Sequence, residues 1–412
     1  MAELMLGIDI GTTSLKTAVF DYTGQKISSA IMEYSLLTPE LNVVEAPCDI
    51  YKESIRACLS AMKNAGGLHL QDITTIGFSV QSETMLFLDE KAHPLRNVIV
   101  LMDNRAGEQA AELKERFGDE LCYQVTGQVS FEACWPAAKI LWVREHEPEI
   151  FASIRHILLL EDYMLYLLTG RFVSECSLLS STEYWDIRTK KYWPEMLEFL
   201  GVDEKWLPEI IEPGQLVGRI LPEMAEELGL SPDVKISSGC MDQVAAAVGV
   251  GNIYPGIFSE NIGASLAICA PTEHLTYDPK RQMPVHYFAM PNTYMMHTFT
   301  TGGMCFRWFR DNFCQNEIGI QTATGMDSYY LMDLEAAQVP PGSDNLIALP
   351  HLQGSMAPDV NLNAKGVFYG ATLKHTKGHF IRSIMESLGY IICRNLESIR
   401  DMGLNIQQIR TM

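Results

Sequence analysis

Ten cysteines are scattered through the 412 residues, yet no two of them stand in a C-x-x-C pair. Even Cys305 and Cys314 lie too far apart for a zinc knuckle, so reduced, buried thiols in a cytoplasmic protein are the simplest expectation. Basic residues are also scarce: 31 Lys and Arg stand against 51 Asp and Glu, a formal net charge of −20. Such a surface repels polyanions, which excludes nucleic acid or an anionic membrane as the main partner. A small anionic ligand stays open, because a few backbone N–H groups and one lysine can hold a phosphate. Long apolar runs are missing as well. The longest, such as residues 152–168, carry charges and are too interrupted to span a bilayer. The N-terminus shows neither a basic region nor a cleavable apolar core, so no signal peptide is expected. His375 and His379 have helix-face spacing, but no Glu follows the first and Gly378 weakens a helix there, which argues against a metal pair.

What is present is a globular balance, 47% hydrophobic and 20% charged, over a length that predicts two or three domains. Residues 6–21, LGIDIGTTSLKTAVFD, place one acid and a hydroxyl-rich turn between two short apolar strands at 4–10 and 17–21. Gly11, Thr12, Thr13 and Ser14 leave backbone N–H groups free and add three hydroxyls, a turn able to wrap phosphate oxygens. Asp9 ends the first strand, where a carboxylate can hold a phosphate-bound Mg²⁺ or its waters. Lys16 adds a point charge.

Strand-like and helix-like segments then alternate, which predicts an α/β architecture. A helix is expected over 49–64, buried strands over 74–80, 84–88 and 98–102, and a charged helix over 104–118. Another helix at 161–168 stops at Thr169-Gly170. The aromatic-rich stretch 184–193 is expected to form loop or lid material. A strand at 234–238 leads through Gly239 and Cys240 to Asp242 and a small-residue helix. Gly and Pro signals at 249–256 mark a domain boundary, giving domains 1–252 and 253–412. The hairpin pattern returns weakly at 256–270, around Gly263, Ala264 and Ser265. Residues 381–402 carry the clearest helical periodicity, closed by Gly403.

Asp242 is the sharpest chemical candidate. It follows a strand at the start of a helix, where the macrodipole favours an ionised carboxylate, and an ionised acid in a cleft suits a general base acting on a hydroxyl. An ordinary helix-capping Asp is the competing explanation. Gln81, Ser82, Glu83 and Thr84 form a polar interruption between two apolar strands, able to bind several hydroxyls. Asp103, Asn104 and Arg105 follow the end of another strand, and ligands of α/β folds sit beyond such ends. Gly302 and Gly303 allow either a close ligand approach or a tight turn before a helix at 304–313.

The ordered set GIDIGTTSLK, SVQSETMLFLD, MDNRA, EDYMLYLLTG, SSGCMDQVAAAVGVG, NIGAS, TGGMCFRWFRD and LPHLQGSMAPDVNLNAKGVFYG resembles the FGGY carbohydrate kinases, from residue 5 to the end. The resemblance implies two ribonuclease-H-like domains of the actin/hexokinase/Hsp70 superfamily flanking a cleft, with ATP and Mg²⁺ as cofactors and a small sugar or polyol as partner. It implies Mg²⁺ assistance by Asp9, and phosphate contacts by Gly11, Thr12, Thr13 and Lys16. Gln81, Ser82, Glu83 and Asp103 would line the sugar pocket, Asp242 would be the catalytic base, and Gly263, Ala264, Ser265, Gly302 and Gly303 would form turns on the nucleotide side. A homodimer is left open.

Departures from the family pattern narrow the substrate. Ser82 stands where a glycerol kinase would place Arg, and losing that fork of donors argues against glycerol. Gln81-Ser-Glu-Thr84 replaces a typical xylulokinase Q-M-H-G, and Ala264 replaces a Thr. Relative to the family, the chain stops before the glycine-rich turn that cradles adenosine, so an incomplete second domain is expected. A ketopentose such as xylulose is the first expected substrate and a polyol the second. Two rival expectations remain on sequence alone: a non-catalytic sugar- or nucleotide-binding remnant, and an actin- or chaperone-like ATPase with no sugar acceptor.

Overall fold

The computed structural model describes residues 3–411, apart from 264, 353, 356, 360 and 362 and the side chain of Phe299. The chain divides into two units: Met1–Gly249 with Val285–Tyr294, and Val250–Pro284 with Met295–Met412. Ten residues of the later sequence, 285–294, thus belong to the first unit.

The first unit is built on strands β1 (Leu4–Ile10), β2 (Ser14–Asp21) and β3 (Lys26–Glu33), helix α1 (Asp49–Ala65), and strand β4 (Ile73–Val80). Helix α2 (Leu160–Thr169), strands β5 (Leu216–Arg219), β6 (Lys235–Ser237) and β7 (Cys240–Met241), and helix α3 (Asp242–Gly249) complete the frame of the site. The sheet runs β5-β6-β4-β1-β2-β3, with β7 also paired to β4. Strands β1, β2 and β3 form an antiparallel meander, whereas β4 lies parallel to β1, β6 and β7. Period-2 alternation drives β1: Leu4, Leu6, Ile8 and Ile10 are buried, while Asp9 lies on the opposite face. Helix α1 covers that core with Ile55, Cys58, Leu59 and Met62, spaced three and four apart. Helix α2 adds Tyr163, Met164, Leu165 and Leu168 and ends at Gly170, whose φ of 73° suits a residue without a Cβ.

The second unit carries a sheet in which β8 (Ile257–Ile262) pairs antiparallel with β9 (Ser265–Thr272). Beyond β9 lies β10 (Tyr294–Thr301), and β11 (Gln408–Thr411) adds parallel to β8 on the other side. Helices α4 (Gly303–Phe313) and α5 (Lys377–Asp401) pack Cys305, Phe309, Ile381 and Ile384 into a separate core.

Several expectations shift. The strand after the first turn begins at Ser14 and not at 17, because Gly11 N–H donates to Ser14 O at 3.0 Å and tightens the hairpin. The strand expected over 98–102 is only Val98–Ile99, since Asp103 N–H folds back to Val100 O. The stretch 184–193 is not lid material. Trp185–Asp186 and Lys191–Tyr192 pair as a small hairpin, and Tyr184, Trp185, Tyr192 and Trp193 are buried. Aromatic side chains of that size lower the free energy more by burial than by staying in a moving loop. Of the ten free cysteines six are buried, but Cys393 is exposed on α5. Among the described residues, no helix is long and apolar enough to cross a membrane.

Candidate active site

Register brings three strand ends of the first unit to one level. Ile10 of β1 and Met241 of β7 both pair with Val80 of β4. The residues that follow, Gly11, Gln81 and Asp242, therefore leave the sheet side by side at the carboxyl ends of parallel strands, the usual ligand position in α/β folds.

Asp9 lies one residue back, opposite Ser79, and its Oδ1 accepts a hydrogen bond from Ser79 Oγ at 2.7 Å. Its other oxygen is 3.3 Å from Lys16 Nζ, its cross-strand partner in the hairpin. Both side chains are well exposed, so this ion pair contributes less than about 1 kcal/mol to stability. The turn between them is held from inside: Gln81 Nε2 donates to Gly11 O at 3.2 Å, and Tyr34 Oη donates to the same carbonyl. Thr12 and Thr13 stay at the surface of that turn, half-buried and exposed.

Asp242 opens α3, and its Oδ1 accepts from Gln243 N–H at 2.6 Å. Burial is the largest influence on its carboxyl and pushes it up to about 6. The Gln243 N–H opposes that shift, the negative charge of Asp9 adds to it, and the Lys16 ammonium pulls it back. Asp9, Lys16 and Asp242 thus form one electrostatic group.

Behind them lies the polar interruption after β4. Gln81 is buried and its Oε1 has no hydrogen-bond partner among the described residues. Buried acceptors of that kind are uncommon unless a ligand or water meets them. Glu83 has a left-handed backbone, φ 59°, and its Oε2 accepts from Ser82 Oγ at 2.6 Å. Burial raises the Glu83 carboxyl, against the Ser82 hydroxyl and the Lys139 ammonium. Lys139 itself is fully buried and donates to Glu83 O at 2.9 Å and Val100 O at 3.0 Å. Sequence reasoning passed over Lys139, although a lone charge inside the apolar run AAKILWV was a usable signal.

Asp103, expected to line a sugar pocket, is held by groups of its own unit. Its carboxylate is buried and taken up by Val44 N–H at 2.7 Å and by the backbone N–H and guanidinium of Arg105. Arg105 continues to Glu45 Oε1 at 2.7 Å, so Asp103 anchors a buried ion-pair network.

In the second unit, Gly302 and Gly303 meet the chain's own backbone. A Cβ on Gly302 would fall 2.3 Å from Ser265 C, and one on Gly303 2.6 Å from Gly263 O. Gly303 N–H donates to Gly263 O at 2.8 Å, which locks the start of α4 against the β8–β9 turn. Both glycines are thus demanded by packing of turn on turn. Ala264 lies outside the described residues.

Residues 4–249 match the N-terminal domain of the FGGY family of carbohydrate kinases, and residues 271–412 its C-terminal domain. The chain belongs to the FGGY family of carbohydrate kinases. It is 29% identical to a gluconokinase of Bacillus subtilis over 95% of this chain and 75% of the relative. It is equally, 29%, identical to a xylulose kinase of Lactococcus lactis, over 94% of this chain and 75% of the relative. A ligand-bound xylulose kinase structure from Lactobacillus acidophilus superposes with a TM-score of 0.87 at 24% identity, covering all of this chain and 81% of that one. That similarity establishes the two-domain fold. This FGGY kinase is therefore an ATP-dependent sugar kinase, a transferase.

Mg²⁺, which the family implies, fits the donor set. Asp9 is a hard carboxylate with an exposed side chain, and no cluster of three His, Cys, Asp or Glu able to hold a metal occurs among the described residues. Mg²⁺ keeps several waters and takes one or two carboxylates, with substrate phosphates supplying the remainder.

Lys16 offers a direct check on the coupling in this FGGY kinase. Lys16→Met removes a charge that lowers the Asp242 carboxyl. With Asp242 as the general base that the sequence predicts, the acid limb of the pH dependence of kcat/KM should therefore move to higher pH. An acid limb that stays in place would contradict the coupling.

Proposed function

We propose that this kinase transfers the γ-phosphoryl group of ATP to a primary hydroxyl of a neutral ketopentose, xylulose first among them, in the cytoplasm. The observation that carries the proposal is Asp242: a half-buried carboxylate at the level of the Gly11 turn, with its pKa pushed up to about 6. A base of that strength is ionised near neutral pH yet basic enough to accept a hydroxyl proton in the transition state.

In this mechanism Asp242 takes the proton from the sugar hydroxyl as that oxygen attacks the γ-phosphorus in line, and the bond to the ADP oxygen breaks. Backbone N–H groups of Thr12 and Thr13 and the Lys16 ammonium meet the phosphate oxygens, while Gly11, its own N–H spent on Ser14 O, shapes the turn that presents them. Asp9 would hold the Mg²⁺, whose chemistry is to neutralise charge on the transferring group. Gln81 Oε1, Ser82 Oγ and the Glu83 carboxyl face the remaining sugar hydroxyls, and Asp103 keeps the neighbouring loop in place through Arg105.

Relatives named gluconokinase and xylulose kinase are equally similar to this chain, so charge separates the two substrates. Burial first, and then the negative charges of Glu132, Asp119 and Glu83, push the Glu183 carboxyl up, so the surroundings of Glu83 disfavour added negative charge, which suits a neutral polyhydroxyl better than a carboxylate. ADP release should be measured with xylulose, gluconate, glycerol and no sugar. Xylulose is expected to give the highest kcat/KM, at least about tenfold above gluconate, a difference of some 1.4 kcal/mol. Gluconate in first place would overturn the ketopentose assignment, and equal ADP release without sugar would overturn sugar phosphorylation itself.

A further inference from the structure

We infer that Glu161 and Ser177 are positioning residues for Asp242, each fixing one backbone N–H of the strand segment that aims it. The inference rests on Asp242 as the base and adds what directs it.

The segment is irregular for a specific reason. Ile236 of β6 pairs with Ile76, and Cys240 of β7 pairs with Ser79 of the same strand β4. From 236 to 240 the chain advances four residues while β4 advances three, from 76 to 79. One extra residue is therefore accommodated between β6 and β7, as in a β-bulge, a device that re-aims side chains beside active sites. Gly239 occupies the bend, pressed so tightly on β4 that an added Cβ would fall 1.9 Å from Phe78 O.

A bulge takes backbone groups off the ladder, and buried N–H groups need other acceptors. Gly239 N–H donates to Glu161 Oε1 at 2.6 Å, reaching across to the first turn of α2. Met241 N–H, immediately before Asp242, donates to Ser177 Oγ at 3.0 Å. Ser177 is held in turn: its hydroxyl donates to Glu175 Oε1 at 2.7 Å, and Glu175 also accepts from Ser177 N–H and Leu178 N–H. Glu161, Glu175 and Ser177 are all buried, with at most 1% exposure, so none of these acceptors has solvent as a substitute. Two oxygens on different elements thus clamp the residues three and one before the base. Neither touches the place of reaction; both act through Asp242.

Burial and the neighbouring Glu175 push the Glu161 carboxyl well above the usual carboxylate range, so its neutral form is close in shape to Gln. That makes two variants informative. Glu161→Gln keeps the acceptor, and Glu161→Leu removes it. Steady-state kinetics should use whichever of xylulose and gluconate the wild type phosphorylates faster. Glu161→Leu is expected to lower kcat by about 10- to 100-fold with KM within twofold, the size of effect that a small misplacement of a catalytic group produces. Glu161→Gln is expected to stay within about threefold of wild type on both constants. Amide hydrogen exchange over residues 236–244, which needs no substrate, should quicken in Glu161→Leu and not in Glu161→Gln. If Glu161→Leu does not fold, Ser177→Ala tests the Met241 arm with the same expected kcat loss at constant KM.

Wild-type kcat in Glu161→Leu, or Glu161→Gln as impaired as Glu161→Leu, would overturn the positioning role. Asp242→Asn separates this from the underlying assignment. If Asp242→Asn abolishes turnover while Glu161→Leu does not lower kcat, the base stands and the clamp falls; if Asp242→Asn keeps turnover, the base itself falls.

Discussion

Replacing Asp242 by Asn is expected to lower kcat about 10³-fold while leaving the sugar KM within about threefold, because a positioned general base contributes roughly 10² to 10⁴ in rate. Asn is nearly isosteric, and its Oδ1 can still accept the Gln243 N–H that Asp242 accepts at 2.6 Å. The start of α3 should therefore persist, as should the hydroxyl contacts that set sugar affinity. What Asn cannot do is take the proton. Stability should not fall either. Burial disfavours the charged form of Asp242, and Asp9 adds repulsion, so an uncharged amide relieves an unfavourable interaction. Active-site groups often carry such a cost, and removing them stabilises the fold at the expense of activity. The test is a coupled ADP-release assay together with thermal unfolding. A kcat within tenfold of wild type would remove Asp242 from the role of base.

Gly239→Ala is expected to destabilise the first unit by more than about 3 kcal/mol, or to prevent its folding, a loss large enough to need a specific mechanism. The mechanism is overlap. The new methyl would sit 1.9 Å from Phe78 O and 2.4 Å from Phe78 C. Both are backbone atoms of β4, which is paired on one side with β1 and on the other with β6 and β7. A strand so enclosed cannot retreat without breaking ladders on both sides. Gly77 on the same strand supplies the control, since a Cβ there would meet nothing within 4 Å. Gly77→Ala should stay within about 1 kcal/mol of wild type, as substitutions free of such clashes usually do. Urea unfolding of the two variants, followed by circular dichroism, measures the difference. Equal midpoints would mean that Gly239 does not lie against Phe78 as described.

Much of the site lay within reach of the sequence because its parts are local. The opening hairpin, the helix following Asp242 and the long helix near the end each announce themselves within a few residues, through alternation, capping and three-to-four spacing. Asp9, Gln81 and Asp242 were singled out one at a time by their positions at strand ends. Other features were illegible for one shared reason. The aromatics of 184–193 look like lid material until the surrounding unit buries them, and Asp103 looks available until Arg105 and Val44 N–H take both its oxygens. Gly302 has the same look whether a ligand or a protein backbone presses on it; the backbone of Ser265 and Leu266 does so. Lys139, Glu161 and Ser177 act through partners 56, 78 and 64 residues away.

By itself, then, the sequence determined the elements, the family and the residue types that phosphoryl transfer requires, since propensity and motif spacing act over short stretches of chain. Only the tertiary structure decided that Gly11, Gln81 and Asp242 leave three neighbouring strands at one level, and that an extra residue before Asp242 turns its N–H groups toward Glu161 and Ser177. Strand order and register pair residues far apart in the chain, and no local pattern encodes which partner each will meet.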